Sequence, residues 1–279
     1  MGESATKVWL GTAGWSYLPD WAGSFYPPGT TSADTLRRYI EAFRFVEIDA
    51  TFDATPAFTT IERWSRIMPP DFRVACKAPK ELVQDTSLAP PDVPFRLFCE
   101  SLAYGLGDRL AMIVVQMQPS FARSASNVER LRAFVDRWVG GPVRFGVEFR
   151  DPSWNVPDVK DFLREHDVTM VSNDLHDVPS LGRQFFDTSD TCAYIRLIGR
   201  HDAMSKDRIQ RPQNDGRLFW ADRVVRLVER GVGHVYVVAN NHYEGHAPQT
   251  LRTLTTELAE RGVQVVDSSG WPNGPVSLF

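Results

Sequence analysis

The chain has 279 residues, of which 43% are hydrophobic and 24% are charged, and these proportions exclude collagen-like, intrinsically disordered and disulfide-scaffold proteins. Its 31 Lys and Arg residues against 35 Asp and Glu residues leave a net charge of −4. A chain without excess positive charge is not expected to bind duplex nucleic acid or an anionic membrane surface.

Eight short apolar runs alternate with segments of helical pattern along the chain. Branched and aromatic residues predict strands at 8–11, 45–49, 72–77, 110–117, 143–149, 168–172, 192–197 and 235–239. Apolar residues three and four positions apart predict helices around 36–43, 58–64, 128–138, 159–163, 224–228 and 251–258. The stretch 171–191 lacks a helical pattern, and the loops 12–31 and 78–92 are unusually long, which is typical of functional loops.

This alternation indicates the fold class. Strands that alternate with helices predict a parallel sheet, and eight strands can close such a sheet into a (β/α)8 barrel. The alternative is an open doubly wound sheet, which usually carries a glycine-rich phosphate-binding turn after its first strand. The segment 11–15 resembles that turn poorly, because bulky Trp15 stands where the backbone must approach a phosphate. We therefore predict an α/β fold, a TIM-type (β/α)8 barrel, with residues 1–279 forming a single domain.

Apolar runs and cysteine spacing bear on location and cofactors. The longest uninterrupted apolar run, 110–115, is far shorter than the ~18 residues of a membrane span, and residues 1–11 lack the features of a signal peptide. Cys76, Cys99 and Cys192 are an odd number at wide spacing, which is typical of reduced, buried thiols. We expect a cytoplasmic protein with no membrane partner, no cofactor and no structural metal.

Polar side chains stand at the carboxyl ends of the predicted strands, where the active sites of (β/α)8 barrels lie. They are Glu47, Asp49, Lys77, Gln116, Glu148, Arg150, Arg196, Asn240 and Asn241. A charge inside an apolar strand costs several kcal/mol unless it is paired, so we expect the charged members to form one network. Such a network can be purely structural, but a structural core would fill these positions with Val, Ile and Leu.

The candidate catalytic residues are Glu47, Lys77 and Glu148. Either glutamate would move a proton, and Lys77 would hold the phosphate or carboxylate of a small anionic ligand together with Arg150 and Arg196. We expect Asp49 to lie too far out to neutralise the third of these cations. The mouth of the barrel would then bind a small anion.

Aromatic residues are dense in the first long loop and recur after the strands. They form either a plug in the end of the barrel or walls on which a sugar or base can stack. Trp15, Tyr17 and Trp154 lie closest to strand ends and are predicted walls, with Phe52 after the second strand. His242 follows the eighth strand beside Asn240 and Asn241.

Eight motifs in a fixed order carry a family resemblance. They are GTAGWSY at 11–17, WAGSFYP at 21–27, VEIDATF at 46–52, FRVACK at 72–77, QMQPSF at 116–121, EFRDPSW at 148–154, YIR at 194–196 and NNH at 240–242. With them the chain resembles the YecE-like family, named domain of unknown function 72, over nearly its whole length. The resemblance implies a TIM-type barrel but no known reaction.

The motifs complete the set of residues predicted to contact a ligand. That set is Trp15, Tyr17, Asp49, Thr51, Phe52, Gln116, Arg150, Trp154, Arg196, Asn240, Asn241 and His242. The chain also departs from the family pattern, since Asp49 and Asp53 replace a usual Asn and Tyr. Residues 83–84 are Val-Gln where the family often has Thr-His, and 198–199 are Ile-Gly where it often has His-Gly. If those two imidazoles act in catalysis elsewhere in the family, this member works differently or has lost activity.

Three functions fit these patterns. The first is an enzyme, a lyase, isomerase or hydrolase, that uses acid/base chemistry on a small polar or anionic substrate. The second is a divalent-metal-dependent phosphoesterase or sugar isomerase with Glu47, Asp49 and Glu148 as ligands, joined by a histidine such as His201 or His242. The third is a non-catalytic barrel that binds a nucleotide or a nucleic-acid end, which the missing histidines favour. We adopt the first as the working hypothesis.

Overall fold

The structure is a computed structural model that describes residues 5–177, 182–202 and 204–266. Its strands form one sheet and are β1 (Lys7–Ala13), β2 (Phe45–Ile48), β3 (Arg73–Lys77), β4 (Leu110–Gln116), β5 (Phe145–Glu148), β6 (Thr169–Met170), β7 (Ser172–Leu175), β8 (Gly182–Gln184), β9 (Cys192–Gly199) and β10 (His234–Ala239). Their order in the sheet is β6-β5-β4-β3-β2-β1-β10-β9-β7-β8. Neighbouring strands are parallel except for β7 and β8, which are antiparallel.

Helices connect the strands, as expected of an α/β fold. They are α1 (Leu18–Trp21), α2 (Thr35–Ala42), α3 (Phe58–Ile67), α4 (Lys80–Val83), α5 (Asp92–Leu106), α6 (Ala125–Trp138), α7 (Pro157–Glu165), α8 (Asn214–Glu229), α9 (Asn241–Glu244) and α10 (Ala247–Ala259). Short 3₁₀ turns follow β2 at Asp49–Phe52, α5 at Gly107–Arg109 and β5 at Pro152–Trp154.

The predicted strands and helices are confirmed, but the sixth strand differs, and β8, α5 and the four-residue helices α1, α4 and α9 were not predicted. Each predicted strand coincides with an observed one, but the sixth is split into β6 and β7 and extends to Leu175. The antiparallel strand β8 was not predicted. The sequence analysis also missed α5, which begins just after a proline-rich loop and carries Pro94 in its first turn, where the absent backbone N–H breaks no helical hydrogen bond.

The sheet is curled. The sixth predicted strand, which the structure divides into β6 and β7, lies against strands near both ends of the sheet. Residues of β6 pair with β5, whereas residues of β7 pair with β9. Only Val171 separates β6 from β7, and its backbone N–H donates to the carbonyl of Val147 on β5 at 2.9 Å. One short stretch of chain therefore lies against strands from opposite ends of the strand order.

Alternate residues of the strands enter two different cores. The larger core lies between the sheet and the helices and includes Val46, Val74, Ile113 and Ile195. A second core on the opposite face of the sheet holds Phe45, Ala75, Met112, Val114, Tyr194 and Tyr236. Since side chains alternate along a strand, this second face continues into Glu47, Lys77, Gln116 and Arg196 at the strand ends.

Gly11 on β1 lies where β1 and β2 approach each other closely. A Cβ atom at Gly11 would collide with the carbonyl group of Phe45 on β2, which is backbone and cannot turn away. We expect Gly11→Ala to lower the free energy of unfolding by about 1–3 kcal/mol, because the two strands must move apart. Urea denaturation of the variant measures this loss.

Gly141→Ala is the matched control. A Cβ atom there meets nothing nearer than 3.9 Å, so the change should leave stability unaltered or raise it slightly by restricting the unfolded chain. Equal stability of the Gly11→Ala protein and the wild type would show that the strands tolerate a wider separation.

Candidate functional site

A polar layer caps the inner core at the carboxyl ends of the strands. Its members are Glu47 on β2, Lys77 on β3, Gln116 on β4, Glu148 on β5, Asn173 on β7 and Arg196 on β9. Strand register places Gln116 beside Glu148 and Asn173 beside Arg196. Adjacent parallel strands thus bring these side chains to one level of the sheet.

Arg196 joins the layer together. Its guanidinium donates to Glu47 Oε1 at 2.7 Å and to Glu148 Oε2 at 2.5 Å. It also donates to Gln116 Oε1 at 3.1 Å, an oxygen that accepts a second bond from Arg150 at 3.1 Å. The structure therefore brings Glu47, Glu148 and Arg196 into one network, as the sequence predicted.

The pKa values of the two glutamates shift in opposite directions although both side chains accept from Arg196. Both are fully buried. Burial raises the pKa of Glu47 to about 7 despite Arg196, and its Oε2 accepts the Tyr194 hydroxyl at 2.8 Å. Burial acts on Glu148 too, but Arg150, whose Nε lies 2.8 Å from Oε1, and Arg196 together hold its pKa below the usual value. Glu148 is thus the fixed anion of the pair.

Lys77 is the cation of this layer that reaches the surface. Its ammonium lies 3.5 Å from Asp49 Oδ1 and 4.0 Å from the centre of the Phe52 ring. No hydrogen bond from the ammonium to another described residue accompanies these contacts. Burial, followed by the charge of Arg196, lowers the pKa of Lys77.

Asp49 lies closer to the cations than the sequence indicated. Its Oδ1 is 3.5 Å from both Lys77 Nζ and an Arg196 nitrogen. The expectation that Asp49 is too far out to neutralise a cation is therefore wrong, because the 3₁₀ turn after β2 folds the carboxylate back over the layer. With every group ionised, three carboxylates balance three cations. The carboxylates are Glu47, Asp49 and Glu148, and the cations are Lys77, Arg150 and Arg196.

Asn173 is a member of the layer that sequence reasoning missed. It is fully buried, and neither atom of its side-chain amide has a hydrogen-bond partner among the described residues. The predicted strand ended at residue 172, one position too early. The alternation of Thr169, Val171 and Asn173 through the interruption was the signal that would have found it.

Several residues that were predicted to contact a ligand instead make hydrogen bonds within the protein. The Thr51 hydroxyl bonds to the carbonyls of Ile48 and Lys77. Asn240 caps α9 by accepting the backbone N–H of His242 at 2.9 Å. Buried Asn241 accepts from the Trp21 indole at 3.2 Å and from a backbone N–H of α10 at 2.9 Å. We therefore leave Thr51, Asn240 and Asn241 out of the proposed ligand-binding set.

The predicted aromatic walls separate into two groups. Trp154 has no accessible surface, its ring is stacked 4.4 Å from that of Phe149, and its indole N–H donates to the Phe121 carbonyl at 2.6 Å. It belongs to the core and cannot form a wall of the mouth. Trp15 and Tyr17, by contrast, border an open cavity.

This cavity has a volume of about 560 Å³ and lies beside the polar layer. Its lining includes Trp15, Tyr17, Leu36, Asp49, Arg63 and Trp64. Asp49 belongs both to this lining and to the charged layer, so the two features adjoin at its carboxylate.

The histidines after β9 and β10 lie apart from the carboxylates of the layer. The rings of His201 and His242 are 5.1 Å apart, and His201 is paired with Asp177 at 2.9 Å. Burial lowers the pKa of His242. Within the described ranges no group of three or more His, Cys, Asp or Glu residues is arranged to hold a metal ion. Glu47 Oε1 and Glu148 Oε2 instead accept hydrogen bonds from Arg196.

Comparisons with known proteins agree with the fold. A DUF72 family protein of Thermotoga maritima MSB8, 29% identical, superposes with a TM-score of 0.78 over 91% of this chain and 99% of its own. A DUF72 family protein of Enterococcus faecalis V583, 19% identical, gives a TM-score of 0.73 over 92% and 99% of the two chains. At that identity the second likeness concerns the fold alone.

Sequence comparison identifies the same group. The UPF0759 protein YunF of Bacillus subtilis (strain 168) is 30% identical over 158 residues, which are 54% of this chain and 53% of YunF. The match thus spans about half of each protein. No helix in the described part of the chain is long and apolar enough to cross a membrane. Residues 9–275 match the family described as "Protein of unknown function DUF72", and the chain belongs to that family.

Proposed function

We propose that this protein is an enzyme that moves a proton on a small anionic substrate at the mouth of a closed (β/α)8 barrel. Closure of the single-domain barrel is supported by β6 and β7, which are one residue apart and pair with β5 and β9 respectively. The split sixth strand then completes the ring of eight. The polar layer would stand at the end where barrel enzymes carry out their chemistry.

The observation that carries the proposal is the state of Lys77. Its side chain is only 9% exposed, yet its ammonium makes no hydrogen bond to the described residues. The ammonium nitrogen is not among the fully buried side-chain atoms that lack a partner in the described residues, so it keeps accessible surface and its free donors can reach water or a ligand. A substrate phosphate, carboxylate or carbonyl would supply acceptors for these donors, and a pKa below the usual lysine value suits an amine that exchanges protons with a substrate.

Contact with the substrate falls to the residues with accessible surface. We assign proton transfer to Lys77, with Arg150 and the exposed face of Asp49 orienting the substrate. Glu47 and Glu148 have no accessible surface, so they act as positioning residues that hold Arg196 and set the charge around Lys77. This revises the expectation that a glutamate itself touches the substrate.

Anion binding would depend on the proton of Glu47. When Glu47 is ionised, the carboxylates and cations of the layer balance; when Glu47 is protonated, one positive charge is left over. Because burial raises the pKa of Glu47 to about 7, a bound anion would favour the protonated form near neutral pH. The reaction class that fits best is isomerisation or elimination next to a carbonyl or carboxylate. Lys77 in its neutral amine form, which the lowered pKa favours, would take the proton and become the ammonium, while the C–H electron pair passes to the carbonyl oxygen as an enolate. The enolate would then either take a proton back at the neighbouring carbon or expel a leaving group.

The alternatives receive less support. Arg196 occupies the space between Glu47 and Glu148, where a divalent cation would have to replace a guanidinium. The nucleotide-reading barrel was expected to use Asn240 and Asn241 for readout, but the side-chain oxygens of both accept bonds from backbone or indole N–H groups.

Anion binding can be measured with sulfate, whose charge is constant between pH 5 and 8. We expect sulfate to bind more tightly at pH 6 than at pH 8 in calorimetric titrations at fixed ionic strength. Lys77→Gln should weaken binding about tenfold or more, because it removes an ammonium that makes no hydrogen bond to the described residues and is available to the anion. The control Lys80→Gln changes an exposed lysine on α4 and should bind like the wild type. Equal affinity in all three proteins would contradict the proposed site.

Proton transfer can be tested by deuterium exchange. In D₂O, ¹H NMR of mixed hydroxy acids, keto acids and sugar phosphates should show loss of a C–H signal next to the carbonyl or carboxylate of the true substrate. Lys77→Gln should abolish this exchange, and Lys80→Gln should retain it. If anions bind at Lys77 but no compound exchanges, the protein is a binding barrel and not this enzyme.

The raised pKa of Glu47 also predicts how stability depends on pH. Between about pH 4.5 and 7 the folded protein keeps the Glu47 proton while the unfolded chain releases it. The free energy of unfolding should therefore fall as pH rises through this window, by up to about 3 kcal/mol at 1.4 kcal/mol per pH unit. Glu47→Gln should remove this dependence when urea denaturation is measured from pH 5 to 8.

Glu100→Gln, on the exposed face of α5, is the control and should keep the wild-type profile. A wild-type profile that matches Glu47→Gln at every pH would mean that Glu47 stays ionised in the folded protein.

A further inference from the structure

The cavity beside the polar layer is larger than a simple anion requires. It lies between the loop after β1, the start of α2 and the face of α3, with a volume of about 560 Å³. Cavities that bind whole organic ligands have volumes of about 300–1,000 Å³. A phosphate or acetate at Lys77 would leave most of this space to other parts of a substrate.

Two tryptophans form a corner of the cavity. The rings of Trp15 and Trp64 meet edge to face, 5.8 Å apart and at 89°. Each tryptophan keeps 9% of its surface accessible, and both border the cavity together with Leu36 and Ile48. Rings that meet at right angles offer one face and one edge to a third ring, which is the preferred packing of aromatic groups.

Tyr17 adds a neutral wall between the cavity and the charged layer. Burial, followed by the charges of Asp49 and Glu47, raises the pKa of Tyr17 to about 12. Its hydroxyl donates to the Ala13 carbonyl at 2.9 Å, so its ring and not its oxygen is available to a ligand. The apolar character of the cavity therefore continues up to Asp49.

Charge is confined to two places on the lining. At the inner end, Asp49 lies 3.5 Å from the Lys77 ammonium. At the outer end, Arg63 on α3 is exposed and forms no ion pair with the described residues. An anion entering this cavity would meet the Arg63 guanidinium first, and beyond Asp49 it would reach the Lys77 ammonium, which pairs with Asp49 and does not itself line the cavity.

We propose that the cavity is the subsite for the ring of the substrate, and that the substrate is a ring-bearing phosphate or carboxylate whose anionic group reaches Lys77. This inference rests on the proposed function and narrows it. The ring would pack into the corner of Trp15 and Trp64, while its acidic substituent passes Asp49 toward the strand ends.

A matched pair of ligands tests the inference. Phenyl phosphate and methyl phosphate carry the same phosphate group, whose charge at pH 6 lies between about −1 and −2 in both, and they differ chiefly in the ring. We expect calorimetry at pH 6 to show phenyl phosphate binding at least tenfold more tightly, because burial of the ring removes apolar surface from water. Thr60→Phe, which places a ring into the cavity from α3, should reduce phenyl phosphate to the affinity of methyl phosphate and leave methyl phosphate unchanged.

The neighbouring substitution Thr59→Phe is the control, since Thr59 is exposed and does not line the cavity. It should bind both ligands like the wild type, and circular dichroism checks that both variants are folded. Lys77→Gln should weaken both ligands alike.

The outcomes separate the two proposals. Equal affinities for the two phosphates, both reduced by Lys77→Gln, would overturn the ring subsite and keep the anion site. Tighter binding of phenyl phosphate that Thr60→Phe removes, with Lys77→Gln binding both phosphates as tightly as the wild type, would keep the cavity as a ring site and overturn its connection to Lys77. Thr60→Phe binding phenyl phosphate like the wild type would place the ring elsewhere and overturn the inference.

Discussion

The mouth of the sheet depends on one buried guanidinium. Arg196 donates to Glu47 and Glu148, two carboxylates with no accessible surface. Removing one partner of a buried ion pair typically costs about 3–5 kcal/mol, because the remaining charge is left uncompensated. Arg196 is thus a structural requirement before it is a functional one. Its replacement by an apolar residue would change stability and charge together, so Lys77 is the better position at which to test the site.

Lys77 differs from Arg196 because its compensation is incomplete. Arg196 has a carboxylate on each arm, whereas Lys77 has only Asp49 at 3.5 Å and an aromatic ring. The two histidines that the family often carries are absent from this chain, so they cannot share the role of Lys77. At one of their positions Gln84 donates to the backbone carbonyl of Gln116 at 2.9 Å, and at the other Ile198 is buried. In the proposed enzyme, proton transfer at this mouth would therefore use the amine and not these imidazoles.

The strand-end positions could be predicted because alternation in a buried strand is strict. Once an apolar run is assigned as a strand, a charge such as Glu47 can only face one side. Asn173 was missed because the predicted strand was ended at residue 172, although the alternation continues through the interruption at Val171. The prediction that Trp154 forms a wall was wrong for a different reason. Its position after the fifth strand was correct, but the packing of the loop around Phe121 decides that its ring is turned into the core.

Asp49 illustrates how a single substitution changes the electrostatics of the whole mouth. The family pattern usually has Asn at this position, and an amide there would leave Lys77, Arg150 and Arg196 facing only two carboxylates. Such a mouth would carry a permanent positive charge and attract anions at any pH. In this chain the Asp49 carboxylate cancels that charge, so an excess arises only when Glu47 takes up a proton. The same substitution that weakens permanent anion attraction would make ligand binding sensitive to pH near neutrality.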